Sequence, residues 1–254
     1  LRLILDDISS YFNFGKRHGA IPLHRTAGLI LVNFSSNGLI SQLSDKDRDR
    51  LQQICRPAAL SEGQSLCLSV SPDADQVYFL TEACITLWVQ PENKTRLAIG
   101  LVGAEGAVGL GRALGQNVSH ISYQVQRSGH AWQASSASLQ QLLKSHPAML
   151  WVIARYLWRL THEIAIMTAS VQYDDVQTRM ALWLVLYAQR SGSLQLNLTH
   201  DELARMLGVR RVSVTLAAVT LKDMGLLNYK RGSVNILDLE ALRLQARAPS
   251  LKSA

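Results

Sequence analysis

The amino-acid sequence predicts an α+β chain in three parts: a domain of short strands, one long helix, and a C-terminal winged helix-turn-helix. Three observations carry that prediction. From about Leu60 to Trp132 short apolar runs, "QVYFL", "CITLWV", "RLAIGLV" and "ISYQVQ", are parted by Pro, Gly, Asn and Asp, which is the pattern of an all-β domain. From Leu150 to Val171 apolar residues recur at alternating steps of three and four, the period of a helix. From Leu198 to Asp238 a capped helix, a glycine stop, a second helix and two alternating runs follow one another.

The parts follow in chain order. Residues 1–36 show no sustained period and are expected to be an N-terminal arm, disordered or a start-site extension. In "NGLISQLSDKDRDRLQQICRPAAL" Ser44 can cap a helix whose Leu51 and Ile54 share a face. With the strands that follow, it forms a predicted domain over residues 37–146. Within it, "GLVGAEGAVGLGRALG" (100–115) invites comparison with phosphate-binding loops. Aligned as a P-loop from Gly106 to Gly111, Arg112 and Ala113 stand where Lys and Ser/Thr are required. Aligned as a dinucleotide fingerprint from Gly109, Leu114 stands where the third glycine belongs. Tight turns between short strands remain, because glycine takes positive φ at little steric cost.

The long helix is predicted over 147–175, with Pro147 suited to its first turn. Leu150, Ile153, Leu157, Leu160, Ile164, Met167 and Val171 make a seam of three heptads. Such a seam asks for another helix along its length, and the expectation is a homodimer. The alternative is a helix packed on its own domain.

Residues 176–254 form the third part. Thr199 and Glu202 make a T-x-x-E capping box, Leu203, Ala204 and Leu207 give the apolar face, and Gly208 supplies the stop. A second helix carries Val214, Ala217, Ala218 and Leu221 and stops before Gly225. "LLNYKRGSVNIL" then reads as a two-stranded wing turning at Arg231-Gly232. A recognition helix offers its N-terminal residues to the major groove, so Arg210, Arg211, Ser213 and Thr215 are the candidate base readers. Thr199, Lys230 and Arg231 complete the candidate DNA-contacting set, the last two toward phosphate.

Composition agrees with a polyanionic partner, double-stranded DNA. The formal net charge is +7, and from Leu198 onward nine basic residues stand against five acidic ones. No apolar run is long enough to span a bilayer and no signal-peptide pattern opens the chain, so the expectation is a cytoplasmic protein without a membrane partner. Cys55, Cys67 and Cys84 lack C-x-x-C spacing, and the seven histidines show no helical pairing or nucleophile motif. Neither a metal site nor catalysis is expected.

The order of these parts, together with "RMALWLVL" and "LARMLGVRRVSVT…LKDMGLLNYKRGSVNILD", resembles the Crp/Fnr family of bacterial transcription regulators over about residues 37–245. The GVRR-x-SVT helix resembles an alphaproteobacterial-type branch. The resemblance implies an N-terminal β-roll (double-stranded β-helix) sensor, a dimerisation helix and a winged helix-turn-helix. It also implies RNA polymerase as a partner, and a mechanism in which an occupied β-roll repacks the two long helices and re-aims the recognition helices. Relatives of the catabolite activator read DNA with an Arg-Glu-x-x-x-Arg set; here Arg211 keeps the first arginine while Val212 and Leu216 replace the others. Members that bind cyclic nucleotides use a glutamate for the ribose and an Arg-Ser/Thr pair for the phosphate. Here Gly109 is kept, Leu110 takes the glutamate position, and Asn117-Val118-Ser119 lacks the arginine. The effector pocket therefore reduces to Gly109, Leu110, Arg112 and Ser119, and cyclic AMP is not the expected effector. The cofactor is left unknown. A cyclic-nucleotide signalling module whose C-terminal domain contacts protein is the alternative.

Overall fold

The structure, a computed structural model, describes residues 33–66, 75–90, 92, 95–116, 120–230 and 232–247. Among the described residues the N-terminal domain has eight strands: β1 (Arg56–Leu60), β2 (Ser65–Leu66), β3 (Gln76–Leu80), β4 (Cys84–Val89), β5 (Leu97–Val102), β6 (Ala107–Val108), β7 (Ile121–Arg127) and β8 (Gly129–Ser135). They form two antiparallel four-stranded sheets, ordered β1-β8-β3-β6 and β2-β7-β4-β5. The chain crosses repeatedly from one sheet to the other, and this closes the pair into a roll. Between the sheets lie Leu60, Leu80, Ile85, Leu87, Val102, Val125 and Ala131, all buried. The four runs singled out in the sequence coincide with β3, β4, β5 and β7 to within one residue at either end.

Short helices close one end of the roll: α1 (Asp45–Ile54), capped by Ser44 as its sequence predicts, α2 (Leu110–Ala113) and α3 (Ser136–Ser145). They share a second apolar cluster with Phe34, Ile40, Val77, Phe79 and the start of the long helix. Most of the predicted N-terminal arm lies outside the described residues. Its last residues pack on the roll, with Phe34 edge-on to Trp132 at a centroid distance of 5.1 Å. Asn37 fastens this segment: its buried amide donates to Leu80 O and Gly106 O, both at 2.7 Å, and its oxygen accepts from Leu39 N and Ile40 N. Every hydrogen-bonding site of that side chain is used, as burial of a polar group demands.

Helix α4 (Ala148–Tyr173) is the predicted long helix. Its 26 residues span about 39 Å at 1.5 Å per residue. The predicted Leu/Ile seam turns toward its own chain. Ile153 and Met167 are buried, and Leu157, Leu160 and Ile164 pack against the cores of the roll; only the end residues Leu150 and Val171 are exposed. The most apolar stripe of the helix is used up by the domain beside it, because that is the largest apolar surface within reach. Tyr156 also faces inward and donates to Ala107 O at 2.7 Å, lying so close to Gly106 that a Cβ there would come within 2.2 Å of the ring.

After an extended Asp174, Asp175 caps α5 (Val176–Ser191) by accepting from Thr178 N at 2.7 Å. The C-terminal domain continues with β9 (Gln195–Leu196), α6 (His200–Leu207), α7 (Arg211–Asp223), β10 (Leu227–Lys230), β11 (Ser233–Ile236) and α8 (Leu239–Arg247). Its sheet has the order β10-β11-β9, so the predicted two-stranded wing gains a third, two-residue strand. This domain shares one buried cluster with Trp88, Ala98 and Leu101 of the roll.

A charged group crosses the same boundary. The Arg190 guanidinium donates from Nη2 to both oxygens of Glu163 at 2.7 Å, and its Nε stands 3.2 Å from Glu105 Oε1, an ion-pair contact without hydrogen-bond geometry. Burial acts to lower its pKa, but the two carboxylates raise it further, and the guanidinium is held above the ordinary arginine range. Removing the one cation would leave two partly buried carboxylates facing each other. Arg190→Leu is expected to lower the unfolding free energy by about 3–5 kcal/mol in urea titrations, and Glu163→Gln, which leaves the Glu105 pair in place, by less.

Candidate nucleic-acid interface

The helix-turn-helix is assembled from local rules. At the start of α6 Thr199 Oγ1 accepts from Glu202 N at 3.1 Å, while Glu202 Oε2 accepts from Thr199 N at 2.7 Å, closing the capping box. Gly208 stops the helix at φ 63°. One short turn later α7 begins, with Arg210 at its N-cap. Val214, Ala217, Ala218 and Leu221 bury one face of α7 in the domain core, so the opposite face is held outward.

The structure brings Arg210, Arg211 and Ser213 together on the first turn of α7, as predicted, with both arginines exposed. Arg211 Nε lies 3.6 Å from Asp201 Oδ1 in a loose surface pair, worth at most about 1 kcal/mol. It is free to reach a base edge. Lys230 ends β10 and is exposed; Arg231 lies outside the described residues. Two members of the predicted set are engaged within the protein. The Thr199 hydroxyl serves the capping box. Thr215 Oγ1 bonds Arg211 O at 3.1 Å and shares a 3.0 Å hydrogen bond with His200 Nδ1.

His200 was not among the predicted site residues. Its ring stacks on Tyr229 of the wing at a centroid distance of 4.0 Å. Burial, and then the Arg211 guanidinium, hold its pKa below the ordinary histidine value. One side chain thus ties the first helix to both the recognition helix and the wing. Its position directly after the N-cap Thr199 was the available signal, but the partners come from 15 and 29 residues away. Three apolar residues, Val212, Leu216 and Val219, stand exposed along α7; the sequence had offered the first two only as replacements for family residues.

The segment compared with an effector cradle reads differently. Gly109 has φ 84°, and a Cβ there would come within 2.4 Å of Gln76 O, so the turn requires glycine. Leu110 points inward and joins the cluster of Phe34 and Val77. Arg112 pairs through Nε with the Asp75 carboxylate, which is fully buried. Its charge is already opposed inside the fold. Ser119, with Asn117 and Val118, lies outside the described residues. Burial pushes the thiols of Cys55 and Cys84 up to about 12, while Cys67 lies outside the described residues. Among the described residues no cluster of His, Cys, Asp and Glu is placed to hold a metal, and no helix is long and apolar enough to cross a membrane.

Residues 178–244 match the family model of the Crp-like helix-turn-helix domain. The Crp-like domain therefore covers α5 to α8, the wing included. No curated protein matches the chain by sequence. Solved structures do match it in fold. A Crp/Fnr-family protein of Eubacterium rectale is 13% identical over 84% of this chain and 100% of its own, with a TM-score of 0.66. The c-di-GMP-responsive global regulator CLP of Xanthomonas campestris is 17% identical over 77% of this chain and 100% of its own, at 0.63. A Crp/Fnr-family transcriptional regulator of Thermus thermophilus is 22% identical over 76% of this chain and 100% of its own, at 0.62. At these identities the likeness is one of fold: the chain has the architecture of a Crp/Fnr-type regulator, with the Crp-like domain joined to a roll of antiparallel strands.

The cradle generates one expectation. A cyclic phosphate entering beside Arg112 would find that guanidinium held by Asp75, and a ribose hydroxyl would find Leu110 already packed in the core. Both losses leave polar ligand atoms unpaired on burial, at about 1–3 kcal/mol each. Calorimetric titration with cyclic AMP is expected to show no micromolar site.

Proposed function

We propose that this chain is a homodimeric, DNA-binding transcription regulator of the Crp/Fnr type, acting in the cytoplasm without catalysis and in contact with RNA polymerase. Its recognition helix α7 enters the major groove of a two-fold symmetric site. The observation that carries the reading is the Crp-like domain itself: a capped α6, a glycine stop, and an α7 whose buried face fixes Arg210 and Arg211 outward beside the wing. The excess of basic residues in this region supports a polyanion as partner. The effector stays open; the Leu110 and Arg112 environments speak against cyclic AMP.

A dimer face is supported by the outward side of α4. Trp151, Ala154, Trp158, Thr161, Ala165 and Thr168 follow at steps of three and four, and all are exposed, the two tryptophans at 75% and 74%. This is a second heptad stripe, about 100° round the helix from the one that packs on the roll. Small residues between large ones let two helices approach and interlock. A two-fold symmetric site read by two α7 helices has half-sites about one turn of DNA, roughly 34 Å, apart.

Two measurements test the reading. In sedimentation, Trp158→Lys is expected to give monomers at micromolar concentration while its melting temperature stays near that of the parent; Leu157→Lys, on the inward face, is expected to lower the melting temperature instead. In binding titrations on the best duplex, Arg211→Ala is expected to cost about 1–3 kcal/mol per half-site and to relax one base preference in each half. Lys230→Ala is expected to weaken all sequences alike and to lower the salt slope by about one unit per subunit. Absence of salt-dependent duplex binding by the parent protein overturns the reading.

A further inference from the structure

We infer that the recognition helix reads thymine methyl groups through Val212 and Leu216. The inference rests on the DNA-binding reading above and gives it a base preference. Opposite its buried face, α7 presents Val212, Leu216 and Val219 at spacings of four and three, which align them in one stripe. They are 68%, 64% and 50% exposed. Single exposed apolar residues are ordinary on a protein surface, whereas a stripe of three on one helix marks a contact surface.

The surroundings decide what that surface meets. Arg210 and Arg211 are exposed at the N-terminal end of the stripe and Lys230 is exposed on the wing, so a polyanion suits the rim better than an apolar protein face does. The major groove of DNA supplies both parts of the match. Phosphates line its edges, and the 5-methyl of thymine is the one apolar group on its floor. Val and Leu side chains carry no donor or acceptor. A cytosine amino group or a guanine oxygen pressed against them would lose water and gain no partner, so the same side chains that accept thymine penalise its alternatives. Of the two polar residues between them, Ser213 and Thr215, the second does not compete, because its hydroxyl is held by His200 and Arg211 O. On the two turns of α7 nearest the groove, Arg211 is left to read guanine while Val212 and Leu216 read neighbouring thymines.

The test begins with the full chain and a pool of randomised duplexes, from which the best-bound sequence is selected. Each thymine of that sequence is then replaced in turn by deoxyuridine, which removes only the methyl and keeps base pairing. At one or two positions in each half-site the affinity is expected to fall about fourfold, the factor for burying one CH2-sized group. Val212→Ala and Leu216→Ala are each expected to lose discrimination between thymine and deoxyuridine at one position, whereas Arg211→Ala keeps it. Both valine and leucine are exposed, and circular dichroism checks that the variants fold; the deoxyuridine series on the parent protein decides without them. If duplex DNA is selected but every deoxyuridine substitution is neutral, methyl reading is overturned and the DNA-binding reading stands. A penalty that survives unchanged in both alanine variants also overturns it. If no duplex is retained at all, both readings fall together.

Discussion

The fold depends on a cation with nowhere else to go. Arg190 sits where the turn after β5, the middle of α4 and the end of α5 converge, and its two carboxylate partners come from the first two of those elements. A buried guanidinium must be compensated on the spot, since the cost of removing it from water is several kcal/mol. The roll, the long helix and the Crp-like domain thereby meet at one electrostatic contact. Neighbouring hydrogen bonds reinforce the junction: Arg127 donates to Ser191 O, and Tyr187 donates to Gln126 O at 3.3 Å. None of these residues faces the proposed DNA surface. Their work is to fix where that surface points.

The elements governed by local rules were the most legible in the sequence. Ser44, Thr199 with Glu202, and Gly208 act within three or four residues of where they stand, and each cap lies where its motif puts it. Strands with clear alternation and bracketing turns were equally plain. Two-residue strands such as β2, β6 and β9 carry no period of their own and owe their existence to the strands they pair with. Contacts across long separations left no signal. The Arg190 cluster joins residues 27 and 85 positions apart, and the pairing of Arg112 with Asp75 is equally invisible to spacing.

The long helix shows how a correct period leads to an incomplete assignment. Two stripes with steps of three and four run along α4, one of Leu, Ile and Met and one of Trp, Ala and Thr. Hydropathy favours the first as the seam of a coiled coil, but a helix lying on its own domain gives its most apolar stripe to the nearest core. What is left facing outward is the stripe of Trp, Ala and Thr. Helix α7 repeats the lesson in small form: its inward alanines were legible from the sequence as core, while the outward Val212 and Leu216 were read only as departures from a polar pattern.

The join between α4 and α5 consists of one extended residue and one cap, Asp174 and Asp175. So short a join fixes how far the Crp-like domain can travel but hardly at all how it is turned. Its attitude comes from the side, where Trp88, Ala98 and Leu101 share its core and Leu97 lies against the turn at Gly208. The aim of a helix-turn-helix is thus written partly on two strands of another domain, and a substitution on either strand is, in effect, a change of bearing for a reader whose own letters are untouched.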